Sequence, residues 1–545
     1  MALDLKHLSF PQIATSWSYV LVLGGIFLLL RSFYRLFLHP LSHIPGPRLA
    51  AITHAVEFYH DVVCHGTYIW EIEKMHEKYG PVVRINPRQV HIKDPHFYDE
   101  VYAPASRKRE KDSHFVGVFG FPNSMIATVS HELHRFRRGL LNNFFSKKSV
   151  LALSSIMHEK EAKLMQRLET LYYHDAVIRL DDAYAALTAD IISQYSWGVS
   201  SAFLDDDSFK NDMREAVNDI SMYVHINRFF PILSAVMRVM PRWVLGRIQP
   251  GAKAVLDMQD IVTRSSARKS GEGMQKTIFD ALTDASVPPQ ERRARRLEDE
   301  GLILVVAGTE TTARALTLAS YYIFRDRQLL LKLRNEIRAV MPTPTTETSW
   351  SELEQLPNLN AVVNETLRLS HGSIFRSTRV APTETLTYKN IVIPPGTPVS
   401  MISYFVHMDP RIFPQPESFK PERWIEAAEK GQHLNKFMVS FSRGSRNCLG
   451  MNLASAELYM TLALMIRRFD IELYETGPEN IRIDREMGIG QPKQGEYSVR
   501  AKITKIITEW VSSVTMVAPR WVTLGWEKPL HDRRSGASGN INDFP

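Results

Sequence analysis

Cysteine is almost absent: 545 residues hold only Cys64 and Cys448. Two distant cysteines exclude a small disulfide scaffold and a Cys-rich zinc centre, and they fit a reducing compartment. No Gly-rich dinucleotide or flavin fingerprint is present, so no nucleotide-binding domain is built into the chain. Basic residues leave a net charge of +7 but form no tract of the nucleic-acid-binding kind. An anionic membrane or an acidic protein is therefore the expected partner, and nucleic acid is not. No repeat occurs, and 44% apolar with 23% charged residues excludes wholesale disorder.

What is present begins with an uncharged run from Leu8 to Leu30. As a helix rising about 1.5 Å per residue it is long enough for a bilayer core of about 30 Å. We expect an N-terminal membrane anchor over 1–38, spanning about 13–33. Trp17 and Tyr19 suit one interface, and Tyr34 with Arg31 and Arg35 the other. A cleavable signal peptide is disfavoured by the long apolar run, the positive charge after it and the lack of a small-residue cleavage site. Arg31, Arg35 and Arg48 outweigh Lys6, which places the bulk of the chain on the cytoplasmic side of a single-pass protein. A Pro-rich hinge, 39–48, follows.

Beyond the hinge, Pro81–Pro87 with Gln89–Ile92, and the residues flanking Pro394-Pro395-Gly396, read as short hairpins. Ile156–Tyr173, Leu302–Phe324 and Asn452–Phe469 have helical spacing. The expected fold is mainly α with a minor β-sheet portion, a single large domain over 49–505, with a C-terminal extension, 506–545, of no assigned role. Of two basic clusters, Arg292-Arg293-Ala294-Arg295-Arg296 reads as a solvated helix face, and the other is His134-Arg135-Phe136-Arg137-Arg138.

Cys448 sits in Phe441-Ser442-Arg443-Gly444-Ser445-Arg446-Asn447-Cys448-Leu449-Gly450, just before a helical run. A helix N-terminus favours thiolate, the form a metal needs. Gly444 permits a tight turn, and Gly450 removes a side chain where something flat must pass close. Arg446 adds a charge suited to a carboxylate or propionate. Haem meets all these demands. The loop resembles the cytochrome P450 haem-binding signature at Phe441, Gly444, Arg446, Cys448 and Gly450.

That resemblance extends to three more motifs in family order. Ala307-Gly308-Thr309-Glu310-Thr311-Thr312 lies inside a long apolar helix, where hydroxyls bonding the carbonyl at i−4 loosen the helix into a groove. The family uses this position for oxygen binding and proton delivery, which implies Thr311 and Glu310 as catalytic groups. Glu365 and Arg368, at i and i+3, would form a buried structural triad with Arg423. His134 and Arg138 would contact haem propionates, although the family usually has tryptophan where His134 stands. Arg379 matches another propionate-binding arginine, with Arg376 as its rival. The resemblance runs to about Ile503, and Tyr404–Pro410 is close to fungal microsomal members that tailor secondary metabolites.

The resemblance implies a monooxygenase that carries haem b (iron protoporphyrin IX) on the Cys448 thiolate and inserts one oxygen atom from O2 into a hydrophobic small molecule, a terpenoid or polyketide. Electrons would come from NADPH through an NADPH-cytochrome P450 reductase, with cytochrome b5 as a second partner, at the endoplasmic reticulum membrane. Arg135, Arg137, Lys147 and Lys148 are candidate docking charges. The expected substrate pocket comprises Phe115, Phe119, Phe121, Leu304, Ala307, Ile374, Phe375 and Ile489. The alternatives are a reductase-independent haem-thiolate isomerase or dehydratase, and a non-catalytic haem-binding protein.

Overall fold

Helices dominate where apolar residues recur at helical spacing, and the strands are short. A computed structural model describes residues 10–210, 214, 224–248, 252–267, 277–493 and 498–508. The expected C-terminal extension lies outside the described residues from 509 onward. The principal helices are α1 (Phe10–Phe33), α2 (His131–Asn142), α3 (Ser154–Tyr173), α4 (Leu180–Trp197), α5 (Val224–Phe229), α6 (Ala294–Arg325), α7 (Pro357–Ser370) and α8 (Met451–Arg468).

α4 is apolar or small on nearly every side, and such a helix must be enclosed. It packs along α6, the 32-residue helix through the main core, which also takes side chains from α3, α7 and α8. α6 is long and apolar enough to cross a membrane, but most of it is buried inside the protein. α1 is different. Its side chains from Tyr19 to Leu30 are largely exposed, and it continues as Tyr34–Leu38. An apolar face this bare in water needs a lipid or protein cover, so α1 fits a membrane anchor. Arg84 secures the following segment, donating to Arg35 O at 2.7 Å and Pro87 O at 3.0 Å. Leu41 and Ile44 are buried against Val82, Val90 and Val399, so the Pro-rich segment is packed chain.

The strands are β1 (Val82–Arg84), β2 (Val90–Ile92), β3 (Ile178–Arg179), β4 (Arg379–Val380), β5 (Leu386–Tyr388), β6 (Ile391–Ile393), β7 (Pro398–Ser400), β8 (Phe469–Leu473), β9 (Arg485–Met487), β10 (Ile489–Gln491) and β11 (Arg500–Ile506). β1 and β2 form the expected hairpin, with Val82 opposite Ile92. The sheet orders are β1-β2-β7-β4, β3-β11-β8, β5-β6 and β9-β10. The second expected hairpin does not form. β6 pairs with β5, whereas β7 joins β2 and β4. Pro394 and Pro395 have no N–H to give a ladder, and Gly396, at φ +77°, donates instead to Ala381 O at 2.8 Å.

The reading of Arg292–Arg296 as a solvated face holds for Arg293 and Arg295, which are exposed, and needs correction at Arg296. Arg296 is buried, bonded to Glu291 at 3.1 Å and to Glu300. A fully desolvated guanidinium requires such partners.

Candidate active site

Cys448 stands between a tight turn, Gly444–Arg446, and the start of α8. Its N–H donates to Phe441 O at 2.8 Å, closing the loop. Gly444 has φ +72°, and a Cβ there would lie 2.2 Å from Ala103 O. Gly444→Ala should therefore cost about 1–3 kcal/mol, read as a lower midpoint in denaturant unfolding. A Cβ on Gly450 would meet no protein atom within 4 Å, so no protein neighbour demands glycine there. The Cys448 side chain is exposed although it lies deep in the protein. Burial pushes its thiol up, opposed by the Gly450 N–H and Arg138. Desolvation thus outweighs the helix-end effect expected from the sequence, and a positive group at the sulfur is what would restore the thiolate.

Around this loop lies an unusual concentration of positive charge. Arg138, from α2, donates to Asn447 O at 2.6 Å and Asn447 Oδ1 at 2.7 Å. Arg446 donates to the carbonyls of Arg109, Thr128 and Val129 at 3.1, 2.6 and 2.7 Å. Arg379 donates to Ser377 and Thr378 and lies over the Tyr102 ring. Lys111 donates to Ile126 O. His134 is buried, its pKa pushed down to about 2 by burial and then by Arg446, Lys111, Arg138 and Arg379. Burial, Arg379 and Arg446 also push Lys111 well down.

None of these five basic groups forms an ion pair with a carboxylate among the described residues. Buried cations are ordinarily paired, so this donor set fits a flat group carrying two carboxylates. Arg379 and Arg376 have different neighbours. Arg376 instead bonds Asp61 at 2.6 Å and Glu57 at 3.3 Å and stacks on Tyr68. Sequence reasoning missed Lys111; the charged run Arg107–Asp112 was the available signal.

On α6, Thr311 Oγ1 donates to Ala307 O at 2.7 Å. These two residues, one turn apart, are exposed between buried neighbours. Gly308 lets α4 approach: a Cβ there would lie 3.1 Å from Ile192. Glu310 is buried and accepts from Arg214 Nε at 3.1 Å, and Arg214 also holds Asp181 at 2.8 Å and Asp182.

Glu365 meets Arg368 at 2.8 Å and Arg423 at 3.1 Å and accepts from Trp424 Nε1 at 2.9 Å. Arg368 also donates to the carbonyls of His407, Pro416 and Ser418. The three charges join α7 to the segment before the cysteine loop.

Of the expected pocket residues, Phe115, Phe119 and Phe375 come together with Val118 and Val224, the Phe375 ring 6.1 Å from Phe115 and 5.9 Å from Phe119. Ile489 reaches them through its bridge to Ser373, beside Gly488, which abuts Phe375. Leu304 packs at the edge of the main core. Phe121 lies within that core, and Ile374 is wholly buried with Tyr68 and Ile72. These two side chains are spent on packing. Two expected docking charges are likewise engaged: Arg137 with Glu291 at 2.7 Å and Lys147 with Glu354 at 2.5 Å.

Above the aromatic cluster, a network absent from the sequence reading ties α5 down. Arg228 bonds Glu57 and Asp61, both at 2.9 Å, and His225 Nε2 lies 2.7 Å from Glu486 O. Burial alone would raise Glu57, but Arg228 and Arg376 hold it below the usual carboxylate range.

The cytochrome P450 family model matches residues 45–499. The chain belongs to the cytochrome P450 family. It is 43% identical over 488 residues to cytochrome P450 monooxygenase aflU of Aspergillus parasiticus, covering 88% of this chain and 96% of that protein. It is 42% identical over 497 residues to cytochrome P450 monooxygenase TRI4 of Trichoderma arundinaceum, covering 90% and 96%. Against conidiogenone synthase PchP450 of Penicillium rubens the identity is 44% over 482 residues, covering 87% and 96%. The family implies haem with a cysteine thiolate ligand, and the relatives support a haem monooxygenase role in fungal secondary metabolism.

Proposed function

We propose that this chain oxygenates a hydrophobic secondary-metabolite intermediate, a terpenoid or polyketide, using haem b on Cys448. The observation that carries the reading is Cys448, deep but open at the start of α8, beside five basic groups with no carboxylate paired to them among the described residues. Phe441, Gly444 and Gly450 shape the loop; Arg379, Arg446, Arg138, His134 and Lys111 would hold the propionates. The group supplies oxygen activation when bound.

The protein's own side chains do the rest. Thr311 presents its side chain on the exposed strip it shares with Ala307 on α6, its Oγ1 donating to Ala307 O. Glu310 holds a proton-exchanging carboxyl one residue away, positioned by Arg214. Phe115, Phe119, Phe375, Ala307, Leu304 and Ile489 orient an apolar substrate and exclude water. Glu365, Arg368 and Arg423 form the structural triad.

Electrons come from NADPH through a cytochrome P450 reductase, with cytochrome b5 as an auxiliary donor, because the chain carries no nucleotide-binding fingerprint of its own. Arg135 and Lys148 are the docking charges without an ion pair among the described residues. Residues 1–38 anchor the domain in the endoplasmic reticulum membrane, 39–48 join it, and 49–505 catalyse on the cytoplasmic side. The reduced, carbon-monoxide-bound absorption spectrum tests the reading: a strongly red-shifted Soret band is expected, and product should require NADPH and reductase. A Soret band at the position of a histidine-ligated haem would overturn it.

Thr311→Ala should keep haem and that band while product formation falls by about a hundredfold. Hydrogen peroxide measured against NADPH consumed should rise in its place.

A further inference from the structure

Two threonines of α6 lie on opposite sides of the helix within one turn of each other. Thr311 shares the exposed strip with Ala307, whereas Thr309, about 200° around the helix, is buried. Thr311 and Thr317 turn their hydroxyls back to the carbonyl four residues earlier, at 2.7 and 2.8 Å. Thr309 does not, and its Oγ1 has no hydrogen-bond partner among the described residues. The polar contact at this turn comes instead from the neighbouring helix. Thr188, wholly buried on α4, has its Oγ1 3.1 Å from Thr309 O, 2.9 Å from Tyr184 O and 3.4 Å from Ala185 O. One turn further along α4, Ile192 closes on Gly308, where a Cβ would lie 3.1 Å from its side chain.

We propose that Thr188 is a positioning residue for the reaction, its hydroxyl holding the Thr309 carbonyl and so fixing, from α4, the turn of α6 that carries Glu310 and Thr311, an inference that rests on the monooxygenase reading. A hydroxyl has one proton to donate. Tyr184 O, four residues back on the same helix, would satisfy it in the ordinary manner of a helical threonine, so the fold does not require it to reach α6. The carbonyl it reaches is the informative one. Thr309 C=O and Glu310 N–H belong to one planar peptide, so a pull on that oxygen toward α4 sets the tilt of the plane from which Glu310, and after it Thr311, continue. The helix is loosened from within at this point, because Thr311 Oγ1 competes for Ala307 O and Gly308 adds backbone freedom. Such a turn needs a fixed reference outside itself, and Thr188 on the enclosed helix α4 supplies it. Reacting groups tolerate little displacement, since about 1 Å can cost about a hundredfold in rate.

The test uses the full-length holoenzyme with reductase and the variants T188V, T188S and Y184F, each checked for wild-type haem content and carbon-monoxide-bound Soret band. T188V keeps the shape and removes the hydroxyl. Product per NADPH should fall by about fivefold, the worth of one ordinary hydrogen bond, and peroxide should rise in its place. The infrared C–O stretch of the reduced, carbon-monoxide-bound protein should shift and broaden as the turn samples more positions. T188S should restore the wild-type partition and stretch. Y184F is the control: it removes another hydroxyl contact between the same two helices, Tyr184 to Ser320 at 2.7 Å, about three turns along α6 from Thr309. It should lower the denaturation midpoint and leave both readouts unchanged.

Wild-type partition and C–O stretch in T188V would mean that the proton is spent on Tyr184 O alone, and would overturn the role of Thr188. Equal changes in T188V and Y184F would overturn it as well, because general loosening of the α4–α6 contact would then be the cause. If T188V fails to load haem, T188A compared with T188S decides on the same two readouts. A wild-type enzyme lacking the red-shifted band would sink the parent reading instead.

Discussion

Cys448→Ser should abolish the red-shifted Soret band of the reduced, carbon-monoxide-bound protein and reduce oxygenation to background. The reason is electronic. A thiolate pushes electron density toward the metal and favours cleavage of the O–O bond, and a serine hydroxyl, hardly ionised near neutrality, cannot. The surrounding fold should survive, because the Cys448 N–H to Phe441 O bond and the Arg138 clamp on Asn447 use no atom of the replaced side chain. Circular dichroism identical to that of the wild type, with the optical signature gone, is the expected pair of results. Retention of both the band and the activity would remove Cys448 from the mechanism.

The second large effect is expected at Glu365. This carboxylate is wholly buried and accepts from Arg368, Arg423, Trp424 and the Lys420 N–H. Glu365→Ala would strand two guanidinium groups and an indole N–H away from water. Breaking a buried ion pair on one side costs about 3–5 kcal/mol, a large share of the 5–15 kcal/mol by which proteins are ordinarily stable. We expect expression without stable haem incorporation and a denaturation midpoint lowered to match. Glu365→Gln should be intermediate, since it retains acceptor capacity and loses charge. An unfolding midpoint within experimental error of wild type for Glu365→Ala would show that the triad contributes nothing to the fold.

Much of this was legible in the chain itself. Ten residues around Cys448, the Ala307–Thr312 hexad and the Glu365–Arg368 pair are local patterns, and local spacing determines which side chains share a turn or a helical face. Helical periodicity likewise placed the three long helices. The tertiary structure decided matters that depend on what lies across from a residue. It set Arg379 beside the cysteine loop and sent Arg376 to Asp61 and Glu57, although the two arginines are three residues apart. It added Lys111 to the basic cluster, drew Phe121 and Ile374 into cores, paired Arg137 and Lys147 with acids, and turned β7 away from β6. The division has one physical cause. Periodicity and capping act between neighbours in the chain, whereas the partner of a buried charge or the occupant of a core position is chosen by segments hundreds of residues away, through desolvation and packing that no single stretch of sequence contains.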